Sequence, residues 1–313
     1  MKNIFSLAAL SLAVGLVSTS CLGDDPEYSQ ELNMNYAGEA CFNRVVDLET
    51  GESLVSGNPS YSMKFVNDGK KSSMTMEMSG IQLSSGFSGL AFKLPELGYS
   101  FNSDTDYFTS TGTDLKPLNA GDSYTFDKFS LRFIPTRNVD GLNCPVYLID
   151  YTVNNRYQVT VFPTTPVLFA TSTGRDEVTG DEYVNKDINA YVSAKIDPAK
   201  MTARVSLAKA QFGHGMITSN LIIKDLAVKL EGNSILISSP EDQTLTIYNT
   251  NNKPYNKSTV TNLSMRLDIT AGVGVLTGDF VIDNPLGAEP GYMPEKYAVT
   301  INLNYFYKEA HEK

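Results

Sequence analysis

The sequence predicts an all-β protein made of two tandem, duplicated antiparallel β-meander units of seven or eight strands each. Three observations carry that expectation. Tyr, Phe, Val, Ile and Thr recur in short runs that alternate with polar residues, which is the period of a half-buried strand. The chain has 17 Tyr, 15 Phe and no Trp in 313 residues, and no stretch keeps a helical period over three turns. Finally, a stretch occurs twice. Residues 68–97 align without a gap with residues 197–226, at a constant spacing of 129. Asp68 meets Asp197, Lys71 meets Lys200, Met76 meets Val205, Gln82 meets Gln211, Gly86 meets Gly215 and Leu97 meets Leu226.

The elements follow in order. Leu32, Met34 and Tyr36 alternate with polar residues until Ala37-Gly38 breaks the run. Cys41–Leu48 reads as a second strand and Thr50-Gly51-Glu52 as a turn. Tyr61–Val66 ends at Asn67-Asp68-Gly69, a hairpin signal. Met74, Met76 and Met78 then share one face of a strand. Thioethers suit copper(I), but the second copy has Ala203, Val205 and Leu207 at these positions, so the stripe reads as core. A polar loop is expected over 102–121. Asp104, Asp106 and Asp114 lie in it without the full spacing of a calcium loop. Phe129–Phe133 matches Leu263–Leu267, with Arg132 and Arg266 on the face opposite the apolar residues and paired to neighbouring carboxylates. Pro163-Thr164-Thr165-Pro166 ends the first unit, because proline cannot extend a ladder. Ala199–Ala210 resembles a helix in isolation, but it aligns with the methionine strand and is read as β. Loops are expected over 173–187 and 284–295. The expected units are 31–165 and 166–308. Barrel and sandwich both fit this pattern.

The N-terminus reads as a lipoprotein signal over residues 1–20. Lys2 precedes an apolar run to Val17, and Ser18-Thr19-Ser20 precede Cys21. The run is short for a membrane span. Cleavage would leave Cys21 as an acylated first residue, with 21–30 as a tether. The stretch from Ser18 to Asp25 resembles the start of surface lipoproteins of Bacteroidetes-type bacteria. That resemblance implies an outer-membrane anchor, with Asp24 and Asp25 as the signal for export to the cell surface; the periplasmic face is the alternative. Ser18 stands where many such sequences have Leu, and no Lys precedes the acidic pair. The order of turns and strands in each unit resembles the calycin-like domains of such lipoproteins, which implies small barrels with or without a ligand cavity.

Cys41 and Cys144 remain in the mature chain. Both lie in the first unit, so a disulfide between them and two buried free thiols are both open to the sequence. Chemistry is sparse elsewhere. His214 lies in Gly213-His214-Gly215, where the first copy has Ser85, and His311 lies in the C-terminal tail. There is no nucleophile elbow, no His-Glu-x-x-His, no phosphate loop and no dinucleotide fingerprint. No metal or cofactor is expected. A net charge of −10 without a basic run argues against nucleic acid. The sequence therefore reads as a non-enzymatic, lipid-anchored binding or accessory protein. Its partner would be a glycan, a lipophilic ligand or another surface protein. A structural adhesin or fimbria-related subunit is the first alternative, and a carboxylate-dependent glycan hydrolase the second. Tyr248, Tyr255, Tyr292 and Tyr297 are the available sugar platforms, or simply strand-end anchors. An empty apolar barrel would favour a lipophilic ligand, and a filled one binding by the outer surface.

Overall fold

The computed structural model describes residues 30–282 and 295–305, except 57, 69, 87, 103–106, 136, 215, 217, 250 and 252. Cys21, Asp24, Asp25, Asp104, Asp106, Tyr292, His311 and nearly all of the loop 284–295 lie outside the described residues. Every long element is a strand, and no helix among the described residues is long and apolar enough to cross a membrane.

The first unit contains β1 (Gln30–Ala37), β2 (Cys41–Asp47), β3 (Ser53–Ser56), β4 (Ser60–Asn67), β5 (Ser72–Ile81), β6 (Leu90–Lys93), β7 (Leu97–Gly98), β8 (Ser100–Asn102), β9 (Tyr107–Leu115), β10 (Phe126–Ile134), β11 (Asn138–Val139), β12 (Leu142–Asn143), β13 (Val146–Val153) and β14 (Tyr157–Pro163). It is a sandwich. One sheet has the order β1-β4-β5-β6, with β7 also on β5; the other has the order β3-β2-β14-β13-β10-β9-β8. The chain passes from sheet to sheet at three places, from β1 to β2 through a 3-10 turn at Gly38–Ala40, back from β3 to β4, and again from β7 to β8. Gly38 holds φ +55° there and donates to the Pro59 carbonyl, a left-handed conformation that favours glycine.

The inner faces build an aromatic and methionine core. Met74, Met76 and Met78 are at most 2% exposed and pack with Phe65, Phe133 and Tyr151. A polar cluster sits inside it: the Tyr61 hydroxyl donates to Asn43 Oδ1 at 2.9 Å and lies 3.2 Å from the Tyr151 hydroxyl. Burial pushes the Tyr61 and Tyr151 phenols up, which keeps both neutral.

The second unit contains β15 (Val167–Asp176), β16 (Glu182–Asn185), β17 (Tyr191–Asp197), β18 (Thr202–Ala210), β19 (Ser219–Glu231), β20 (Ser234–Ser238), β21 (Gln243–Asn249), β22 (Pro254–Asp268), β23 (Val273–Ile282) and β24 (Glu295–Asn304). It is a closed antiparallel barrel in the order β15-β17-β18-β19-β20-β22-β23-β24, and β24 pairs back onto β15. The barrel is filled. Val205, Leu221, Ile223 and Leu276 are fully buried inside it. At its mouth Phe212 packs on Phe280, ring centroids 4.8 Å apart. Gly174 lets the chain at Phe212 come down onto the wall, since a Cβ on Gly174 would overlap the Phe212 carbonyl oxygen.

The question of barrel or sandwich thus has a different answer in each unit. Two expected loops are corrected. Residues 102–121 contain β9, which pairs along its length with β10, and 173–187 contain most of the β15–β16 hairpin. Both stretches are polar because their outward faces meet water, and polarity alone does not separate a loop from an edge ladder.

Of the two alternatives for the cysteines, the disulfide is not formed: Cys41 and Cys144 are free. Cys41 points into the first unit's core, its Sγ 3.9 Å from the Pro59 carbonyl. Burial pushes that thiol up to about 12. Cys144 lies on the barrel side instead, its amide on the Arg137 carbonyl.

Turns match atom for atom between the units. Asp47 Oδ1 accepts from the amides of Glu49 and Thr50, and Asp176 Oδ1 from those of Val178 and Thr179. Thr50 Oγ1 accepts from Glu52, and Thr179 Oγ1 from Asp181. Leu48 donates to the Arg156 carbonyl, and Glu177 to that of Lys296. Asp68 likewise caps Lys70 and Lys71 as Asp197 caps Ala199 and Lys200.

The units share one hydrophobic cluster. Phe42, Ile134, Val146, Leu148 and Phe162, on the outer face of the first unit's larger sheet, belong to the same cluster as the barrel. Arg137 fastens the far end. It is 7% exposed, donates to the carbonyls of Tyr305 (3.4 Å) and Val167, and lies over the rings of Phe169 and Tyr305 at 5.1 and 5.4 Å. Desolvation lowers its affinity for the proton, yet guanidinium stays charged.

Two outcomes follow from this packing. Gly174→Ala should destabilise the chain by about 1–3 kcal/mol, because the new methyl overlaps backbone that cannot rotate away; an unchanged midpoint of thermal unfolding would refute the close approach. Arg137→Met should lower the stability read by urea unfolding by about 2–4 kcal/mol, since two carbonyls lose a charged donor and two rings lose a cation.

Candidate functional site

The site is built from one row of side chains that the fold repeats. In the first unit Tyr157 is opposite Asp47 on one side and Val153 on the other. In the barrel Tyr297 is opposite Asp176 and Phe280. Three residues along, the outward row is Arg44–Thr160–Asp150 in the first unit. In the barrel it is Thr173–Thr300–Thr277. The next row outward is Val46–Gln158–Thr152 against Arg175–Ala298–Asp279.

The first of these surfaces is occupied. The turn between β19 and β20 presses onto it. Arg44 Nη1 donates to the Gly232 carbonyl at 2.8 Å, and Thr160 Oγ1 lies 3.0 Å from Asn233 Oδ1 and 2.8 Å from Asp150 Oδ2. Asn233 continues the chain through Thr270 to Asp268. Burial pushes the Asp150 carboxyl above its ordinary 3.8, against the hydrogen bonds from Thr160 and Gln158.

Among the described residues, no turn packs on the second surface. It forms a groove of about 380 Å³ on the barrel wall, floored by Thr173, Thr277, Gly278 and Thr300 and edged by Arg175, Glu182, Asn262 and Asp279. The floor is low because its side chains are small. Asn262, in a left-handed conformation at φ +53°, donates to Asp279 Oδ2 at 2.7 Å and so fixes one wall. Arg175 and Glu182 face each other across β15 and β16. The edge carries one cation and two carboxylates, and the floor offers hydroxyls that donate and accept.

The two carboxylates of the groove do not stand as a glycosidase pair. Glu182 and Asp279 are separated by Arg175 and Ala298 on intervening strands. Three strand spacings of about 4.8 Å exceed the ~5–9.5 Å at which paired carboxylates cleave glycosides. No group of three or more His, Cys, Asp or Glu that could hold a metal occurs among the described residues.

Other residues singled out from the sequence are scattered. His214 is exposed, edge-on to Tyr183 with centroids 4.8 Å apart. Arg266 lies 3.8 Å from Glu231, as an outward arginine beside a carboxylate should. Tyr297 points inward and donates to Glu295, so it anchors the wall and presents no platform. Thr173, Arg175 and Glu182 lie in the stretch 173–187 expected as a loop, but the groove was not legible in the sequence, because its residues come from five strands and have no local spacing. A signal for the row did exist. Asp47-x-x-Thr50-Gly51-Glu52 and Asp176-x-x-Thr179-Gly180-Asp181 stand 129 residues apart, which would have aligned β2 with β15.

No protein-family model matches the chain, and no curated protein matches it. Among solved structures there is a match to the isotype 1 transferrin binding protein B of serogroup B Neisseria meningitidis. It is 10% identical, covers 87% of this chain and 76% of that one, and has a TM-score of 0.22. At that score the likeness carries no argument about fold or role.

Asp150 supplies a pH dependence. Its folded carboxyl titrates above 3.8, so the fold favours the protonated form. Stability from this group is present in acid and is lost as pH rises through the folded value. Asp150→Asn should therefore gain stability relative to the parent as pH goes from about 4 to 7. Denaturant midpoints across that range read it, and a constant difference would show that Asp150 titrates normally.

Proposed function

We propose that the chain is a non-enzymatic, lipid-anchored binding or accessory protein of the outer membrane that engages its partner through the groove on the barrel wall. One observation carries this reading. The barrel interior is packed with its own side chains, while its outer wall bears a polar, concave surface. A lipophilic ligand has no place inside such a core, so recognition falls to the exterior. The closure of β24 onto β15 also counts against a subunit that polymerises by strand exchange, because no barrel strand can leave without opening the ring.

Acylation at Cys21 supplies the anchor and Asp24 and Asp25 the export signal. Acyl chains contribute about 0.8 kcal/mol per buried CH₂, which holds a soluble body at the membrane. β1 begins at Gln30, so the tether 21–30 keeps the two units close to the lipid surface. We read the units, 31–165 and 166–308, as products of one duplication, on the strength of their shared turns and pairings.

Protease treatment of intact cells tests the placement. The parent should incorporate labelled palmitate and be shaved from the surface, and Cys21→Ser should lose both the label and the membrane association. A chain protected from protease in intact cells would move the protein to the periplasmic face.

A further inference from the structure

We infer that the groove is a docking site for a β-turn of a protein partner. This rests on reading the groove as the binding surface and names what fills it. The reason is internal to the chain. The row Thr173–Thr300–Thr277 occupies the place that Arg44–Thr160–Asp150 occupies in the first unit, and that first row holds the Gly232-Asn233 turn of the barrel. The fold thus uses this patch of wall to seat a turn, with one donor for a turn carbonyl and a hydroxyl for a turn side chain.

The two surfaces differ in a way that sets how long a turn stays. Beside the first row stand Phe42 and Phe162, both fully buried under the barrel. Their counterparts beside the groove are Thr171 and Asn302, and Asn302 is exposed. Apolar contacts make the contact within the chain permanent, whereas the polar replacements suit a partner that leaves. Arg175 and Asp279 replace Val46 and Thr152 at the rim, and supply charges of both signs for side chains flanking the partner's turn. A polyanion is disfavoured by Glu182 and Asp279, and a lipid by the hydroxyl floor.

The test uses residues 21–313 with Cys21→Ser, isotopically labelled, and a cyclic hairpin peptide of sequence 229–236, which contains the turn that the first unit holds. The peptide should shift the amide resonances of Thr173, Gly278 and Thr300, and Thr300→Trp should abolish the shifts. Thr173→Arg with Thr277→Asp rebuilds the first unit's row and should tighten binding about tenfold, the gain of a well-placed hydrogen bond. Failure of that double variant to tighten binding, or shifts confined to other surfaces, would overturn the inference. Titration with maltoheptaose separates the two claims. Groove shifts with the oligosaccharide and none with the peptide would discard turn docking and keep the groove as a binding surface, while no groove shifts with either would discard both.

Discussion

One end of the larger sheet of the first unit, at Phe42, Ile134, Val146, Leu148 and Phe162, is buried on both faces, and the rest of the molecule depends on that. Antiparallel sheets ordinarily keep one face in water. Here Val159 and Val161 face the first unit's core while Phe162, one residue on, faces the barrel. The alternation of β14 is therefore apolar on both sides at its end and polar at Gln158 and Thr160. The two units are thereby bound into one body. The turn Gly232-Asn233 is lodged against Arg44, and the Arg137 guanidinium is trapped between carbonyls and rings.

Such a contact is demanding. An arginine at 7% exposure forfeits most of its hydration, and Arg137 recovers it from the Tyr305 and Val167 carbonyls at the ends of β24 and β15. Those are the strands whose pairing closes the barrel. Closure of the second unit and attachment of the first are thus fastened at one place. Asp150 shows the same tension at the other end, where burial works against its charge and the Thr160 hydroxyl relieves part of the cost.

Two units that share the pairing of their closing strands, β2-β14-β13 and β15-β24-β23, have been put to different ends. The first spends its outer wall on the second. The second keeps the equivalent wall open, with threonines where the first has Arg44 and Asp150 and asparagine where the first has Phe162. Small polar side chains lower the floor and leave a groove. The hairpin β15–β16 and the Asn262–Asp279 pair raise its sides.

The sequence by itself determined what depends on near neighbours. The period of two placed Met74, Met76 and Met78 on one buried face, and Ala203, Val205 and Leu207 on another, because alternation across a strand is a property of the backbone. Asp68 and Asp197 announced their turns because a carboxylate two residues before an amide can cap it. Tertiary structure alone decided which strands share a sheet, and with that the remainder. A strand carries no mark of whether its outer face meets water or another unit, so the burial of Phe42 and Phe162 and the side of the sheet on which Cys41 and Cys144 lie were settled by pairing across more than a hundred residues. The fold class was legible for the first reason. The groove was not, for the second: Thr173, Asn262, Asp279 and Thr300 become neighbours only when the last strand of the barrel closes on the first.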